Sequence, residues 1–237
     1  MSANKIVGKS ESVKDMIPQI EKSLLHSSRG PSYLNAFNLL GCASDSVESC
    51  IPNSITWKRK VASSWDSLRQ IFVPLSEPCI ESENFVLVWL EALSFVKQCQ
   101  IGLTLLEGQN GVESTLRLIQ VAYPQKTIIY LIEGLDKYYN LRKAHFSHGL
   151  NQQVTARLER GYSSLLESSP ASTTRSKTSK PLKEDYSSLP DRAVVEEACC
   201  WLQLFQGIKI MMSKNEEETI SYLTAFTQEM SQLPFYK

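Results

Sequence analysis

The sequence predicts an α/β protein whose mostly parallel central sheet is flanked by helices. Two apolar runs, NFVLVWL at 84–90 and TIIYLI at 127–132, carry this prediction, together with the helical patterns that follow them. Both runs are rich in β-branched and aromatic side chains and lack polar alternation, as expected of strands covered on both faces. Each passes into helix-spaced apolar residues. Strand, helix, strand, helix is therefore the grammar of the middle third, which calls for parallel strands joined by right-handed crossovers.

Residues 1–50 are set apart as an N-terminal segment, and 51–237 as the main domain. In the first segment a weak helical pattern, Met16, Ile20, Leu24 and Leu25, is interrupted by Pro18, Gly30 and Pro31. SITWKRKV at 54–61 then reads as a strand with Ile55, Trp57, Arg59 and Val61 on one side and Thr56, Lys58 and Lys60 on the other. The run at 84–90 is followed by a helix over 91–99. After turn chemistry in GQNG at 108–111, Val112, Leu116, Ile119 and Gln120 give a helix that ends near Tyr123-Pro124. Gly134 breaks the strand at 127–132, and a helix follows over 135–143.

Residues 163–188 are dominated by Ser, Thr, Lys and Pro. Apolar side chains there are too sparse to offset the entropy of ordering, so a long mobile loop is expected. Leu189-Pro190-Asp191 opens the next helix with Pro in its first turn, and Gly207 ends it. A short strand, IKIMM at 208–212, precedes a helix capped by Asn215, whose first turn holds Glu216, Glu217 and Glu218. Leu233-Pro234 stops this last helix.

Composition narrows the function. Lys plus Arg and Asp plus Glu number 25 each, so any nucleic-acid contact must come from a local patch rather than the summed field. Cys42, Cys50, Cys79, Cys99, Cys199 and Cys200 follow no paired metal spacing, which fits reduced thiols in an intracellular compartment. The N-terminus has no apolar signal core, and no run approaches the ~18 consecutive apolar residues of a membrane span. Phosphate-cradling loops, the zinc-protease helix and the nucleophile elbow are all missing.

His145 and His148 are spaced to share a helix face as paired metal ligands, but no acidic or Cys partner lies near them in sequence. That favours solvated or hydrogen-bonding histidines. Lys137, Arg142 and Lys143, interleaved with Tyr138 and Tyr139, suit phosphates and unstacked bases, and equally suit a solvated helix face with the Tyr rings in the core. Lys58, Arg59 and Lys60 form a weaker patch, because a strand sends at most two of them the same way.

SITWKRKV, NFVLVWLEALSFV, TIIYLIEGLDKYY, LPDRAVVEEACCWLQLFQGIKIMM and FTQEMSQLPFYK, in this order and spacing, resemble the nuclease-like domain of the Eme/Mms subunits. These are the non-catalytic partners in XPF-type crossover-junction endonucleases. The resemblance spans residues 50–237 outside the loop and implies a restriction-endonuclease-like fold. It also implies a nuclear protein that pairs with a catalytic XPF-type subunit on branched DNA, meaning flaps, forks and Holliday junctions, in repair and meiotic recombination.

Catalytic members of that group carry Gly-Asp followed by Glu-Arg-Lys-x-x-x-Asp, whose carboxylates hold Mg²⁺. The corresponding strand end here reads Val88-Trp89-Leu90-Glu91-Ala92-Leu93-Ser94-Phe95, without the Arg-Lys pair or the Asp. Glu91 and Glu133 are thus expected to be relics of a degenerate site, with Mg²⁺ belonging to the partner. Glu133 is expected to accept hydrogen bonds at the following helix N-terminus. An active nuclease with a rearranged site of Glu91, Glu133 and a carboxylate that folding brings near, for example Asp136, is the enzyme alternative. The family also implies a C-terminal tandem helix-hairpin-helix domain, whereas this sequence ends at Lys237, so a fragment or isoform with weak or no complex activity is a third reading.

Overall fold

The computed structural model describes residues 13–66, 68–102, 111–163, 186 and 188–232. In chain order a 3₁₀ turn (Val13–Asp15) leads into β1 (Met16–Glu21), α1 (Lys22–Leu25), α2 (Gly30–Leu39) and β2 (Asp45–Val47). Two long strands, β3 (Ser54–Asp66) and β4 (Ile71–Glu91), precede α3 (Ala92–Gly102) and α4 (Val112–Ala122). The chain continues through β5 (Thr127–Glu133), α5 (Leu135–Ser163), α6 (Arg192–Leu204), β6 (Lys209–Ser213) and α7 (Glu216–Gln232).

One six-stranded sheet runs in the order β2-β1-β3-β4-β5-β6. The β1–β2, β4–β5 and β5–β6 pairs are parallel, and β1–β3 and β3–β4 are antiparallel. The alternation of β4 and β5 explains why both runs lack polar positions. Val86, Val88, Leu90, Ile128, Tyr130 and Ile132 face a core with α3, α4 and α6. Leu87, Ile129 and Leu131 point to the opposite face, where α2 and α7 supply Tyr33, Phe37, Leu223 and Met230. The result is a three-layer sandwich with helices on both sides.

The N-terminal segment departs from its helical reading. Met16 and Ile20 lie on a strand, and β1 sits between β2 and β3, so residues 16–47 belong to the same sheet as the rest. Pro18 is accommodated within β1 opposite Trp57. The carboxylate of Glu21 then caps α1, accepting from Ser23 N (2.8 Å) and Leu24 N (3.3 Å), and it also accepts from Asn53 N (3.1 Å). Burial pushes this carboxyl up, but its hydrogen bonds from the Ser23 hydroxyl and N–H and from the N–H groups of Asn53 and Leu24 win and hold it below the usual range. A depressed folded value means that this stability is present above the unfolded value of ~4.3 and is lost as pH falls through the folded one. Glu21→Gln is expected to lower stability by about 1–2 kcal/mol at pH 7. In acid titration of thermal unfolding, the gap from wild type should close below pH ~4.

Beyond Val61 and Cys79, β3 and β4 pair only with each other and form a ribbon reaching out from the sheet. Extra β4 residues opposite Trp57 and Ala62 shift the register there, as bulges do. Along β3, Ile55, Trp57, Arg59 and Val61 are buried, Lys58 is half-buried and Lys60 is exposed. Arg59 is therefore part of the core. Its Nε donates to Glu83 at 2.6 Å, and its guanidinium reaches the Met230 carbonyl on α7.

At the other end of the sheet, Asp191 is the N-cap of α6, accepting from Val194 N at 3.0 Å. Pro190 thus precedes the helix rather than sitting in its first turn. Asn215 accepts from Glu218 N (2.9 Å), the cap that the sequence specifies. α5 runs to Ser163, far beyond the expected 143. The segment read as a mobile loop at 163–188 and the stop at Leu233-Pro234 lie largely outside the described residues.

Candidate functional site

Open parallel sheets place their working crevice at the carboxyl ends of the strands. Here β4, β5 and β6 end side by side, with Glu91 in register with Glu133, and Glu133 in register with Ser213. A cleft of about 460 Å³ opens at these ends, lined by Arg29, Glu91, Glu133, Lys137, Tyr138 and Lys214, among others. Ala92 of α3, Gly134 and Lys137 at the start of α5, and Asn215 and Glu216 at the start of α7 also border it, so three helix N-termini lie at the cleft. Gly134 makes the turn between β5 and α5 at φ +87°, a conformation suited to glycine, and donates its N–H to the Ser213 carbonyl at 2.8 Å.

Glu133 is the central group and is buried. Its Oε1 accepts from Arg29 Nη2 at 2.5 Å. Its Oε2 accepts from Thr219 Oγ1 at 2.8 Å and from Trp89 Nε1 at 3.3 Å. Arg29 also pairs with Glu216 at the start of α7, and Thr219 shares a hydrogen bond with Ser213 at 2.6 Å. This corrects the expected role of Glu133. Its carboxylate is held by side chains from β4, α7 and the turn before α2, not by the N–H groups of α5. Tyr33, fully buried, has a hydroxyl without a hydrogen-bond partner among the described residues. Burial, then the nearby Glu133 carboxylate, pushes its titration up, so it stays neutral.

Arg29 is placed by a close approach. The loop from α1 brings Gly30 so near the Leu25 carbonyl that a Cβ on Gly30 would lie 1.9 Å from that oxygen. Only glycine allows α2 to start here and leave Arg29 facing the end of β5.

The remaining predicted site residues are distributed differently from the sequence reading. Glu91 is exposed at the cleft beside Glu133. Asp136 is exposed in the first turn of α5 and does not line the cleft. Lys137 does line it, whereas Arg142 donates to the Leu189 carbonyl (3.3 Å) and lies over the Phe146 ring at 4.7 Å. Lys143 is exposed about 120° around the helix from Lys137, so the three cations do not form one patch. Tyr138 is buried and donates to the Pro190 carbonyl at 2.6 Å, while Tyr139 packs edge-on against it. His145 stacks near Phe146 and Tyr186, and His148 is exposed. Lys58 and Lys60 lie on β3, remote from the cleft lining.

Sequence reading missed Arg29, Trp89, Lys214, Glu216 and Thr219. Lys214 had a local signal, because it sits between the end of β6 and the Asn215 cap.

Mg²⁺ needs open carboxylate oxygens, usually from one or two carboxylates completed by substrate phosphates and water. Both oxygens of Glu133 already accept hydrogen bonds, one from a guanidinium, which leaves Glu91 as the open carboxylate of the strand ends. Among the described residues no group of three His, Cys, Asp or Glu is placed to hold a metal ion. Among the described residues the strand ends therefore do not fit a catalytic Mg²⁺.

A mixed sheet covered on both faces, with a cleft at the carboxyl ends of β4 to β6, defines a nuclease-type α/β domain of the restriction-endonuclease-like kind. The ERCC4 domain matches residues 21–226, and the chain belongs to this family of XPF-type nucleases and nuclease-like proteins of DNA repair and recombination. Comparison with curated proteins gives no match. No helix among the described residues is long and apolar enough to cross a membrane.

Proposed function

We propose that this chain is the non-catalytic subunit of a heterodimeric, structure-specific DNA endonuclease. It pairs in the nucleus with a catalytic XPF-type subunit and helps place flaps, forks and Holliday junctions during repair and meiotic recombination. Mg²⁺ chemistry belongs to the partner. One observation carries the reading: the carboxylate at the family's strand end, Glu133, is neutralised by Arg29 and saturated by Trp89 and Thr219. A group held this way keeps the domain's shape and cannot easily release an oxygen to a metal.

The test is co-expression with a catalytic XPF-type subunit, followed by a cleavage assay on a 3′-flap substrate in Mg²⁺. The chain alone is expected to give no cleavage, and the co-purified pair to cut well above the catalytic subunit by itself. Mg²⁺-dependent cutting by the chain alone, abolished by Glu91→Gln, would establish the rearranged active nuclease instead. Failure to co-purify would leave a nuclease-like fragment without a complex.

A further inference from the structure

α5 is anchored at its start, where Leu135 and Tyr138 are buried. From Asn140 to Leu158 no described side chain of this helix is buried. Exposed helices are normally polar all round, with apolar side chains scattered singly. This one instead exposes Phe146 (42%), Leu150 (62%), Val154 (55%) and Leu158 (58%) at every fourth position. Such residues advance about 40° per step, so the four form one ridge across an arc of about 120°.

Charge on the same face is one-sided. Residues 137–158 contain Lys137, Arg142, Lys143 and Arg157 and no Asp or Glu. Lys143 and Arg157 both fall within the arc of the ridge, one at each end, and both are exposed. Arg142 lies beside it over the Phe146 ring. A surface with an apolar centre and a cationic rim matches the anatomy of a protein interface. Nucleic acid backbone would use the cations and gain nothing from Phe146, Leu150, Val154 and Leu158.

We infer that the outer face of α5 is a docking surface for an amphipathic helix of a partner protein, one with an apolar stripe flanked by Asp or Glu. The ridge supplies the apolar contact in the helix-against-helix manner, and Lys143 and Arg157 select acidic flanks and fix the direction of approach. This surface is separate from the strand-end cleft, and the inference does not depend on the proposed nuclease pairing.

The probes are two synthetic amphipathic helices of equal length with the same leucine stripe, one flanked by glutamate and the other by lysine. Fluorescence anisotropy with the full chain is expected to show the acidic helix binding at least about tenfold more tightly than the basic one. Leu150→Asp with Val154→Asp should remove that binding while far-UV circular dichroism stays unchanged. Lys143→Glu with Arg157→Glu should reverse the preference. Equal affinity for both probes, or no binding of either at millimolar concentration, would overturn the inference. So would dimerisation of the chain in sedimentation that is lost with Leu150→Asp and Val154→Asp, since the occupant would then be a second copy. A loss of flap-DNA affinity in the same variant, without peptide binding, would assign the face to nucleic acid.

Discussion

Replacing Arg59 by methionine is expected to lower the unfolding free energy by about 3–5 kcal/mol, because it strands a buried carboxylate. Arg59 and Glu83 join neighbouring strands β3 and β4, and their side chains are 2% and 9% exposed. The same guanidinium ties the Met230 carbonyl near the end of α7, so its removal loosens a helix as well as a strand pair. Glu83→Leu added to Arg59→Met should recover most of the loss, since apolar replacement of both members of a buried pair is often close to neutral. Urea denaturation followed by tryptophan fluorescence measures both variants, Trp57 being buried and donating to Thr227 at 3.1 Å in the same core. A single variant within about 1 kcal/mol of wild type would mean that water, or the Lys126 ammonium that already donates to the Glu83 carbonyl at 2.6 Å, compensates the carboxylate.

The second large effect concerns the cleft and rests on the proposed role in a DNA-cutting heterodimer. Lys137 and Lys214 flank the strand ends, where three helix N-termini also lie. A heterodimer with Lys137→Glu and Lys214→Glu is expected to bind flap DNA at least about tenfold more weakly near 0.1 M salt. Its salt dependence, plotted as log affinity against log salt, should flatten by about two, roughly one per lost phosphate contact. Lys58→Glu with Lys60→Glu, on β3 away from the cleft, is the matched control of equal charge change. Equal losses in the two pairs would show that net charge, not the cleft, sets the affinity.

What the sequence reveals and hides here follows from the range of the interactions. Val86, Leu87 and Val88 declare a strand covered on both faces because alternate side chains find different cores, a local property that any continuous apolar run displays. Asn215 likewise announces α7, since a cap needs only its own next three residues. Met16, Ile20 and Leu24 mislead, because a fourth-residue spacing is shared by a helix and by a short strand followed by a turn. What makes β1 a strand is its pairing with β3, which no periodicity shows. The length of α5 is hidden for a related reason. Past residue 143 its helical state owes little to burial, so a search for a core-facing stripe stops there.

The site divides the same way. Glu91 and Glu133 are legible from their positions at strand ends, and the structure sets them side by side. The partners that decide the chemistry of Glu133 come from far away in sequence, Arg29 from 104 residues upstream and Thr219 from 86 downstream. The apparent basic cluster of Lys137, Arg142 and Lys143 shows the reverse error. Adjacency in sequence suggested one patch, and the helical rotation assigns one cation to the cleft, one to a carbonyl and an aromatic ring, and one to the outer face.

The position of β1 between β2 and β3 bears on where this domain can be divided. A fragment beginning at residue 51 would lose a central part of its scaffold: the β3 edge would expose backbone groups now paired with β1, and Trp57 would lose Met16, Ile20 and Phe37 from its core. The same cut would remove Arg29 and leave the Glu133 carboxylate buried without its counter-charge. The smallest unit able to fold therefore includes β1 and Arg29, and a boundary drawn where the recognisable nuclease motifs begin would yield a piece prone to pairing through its open strand.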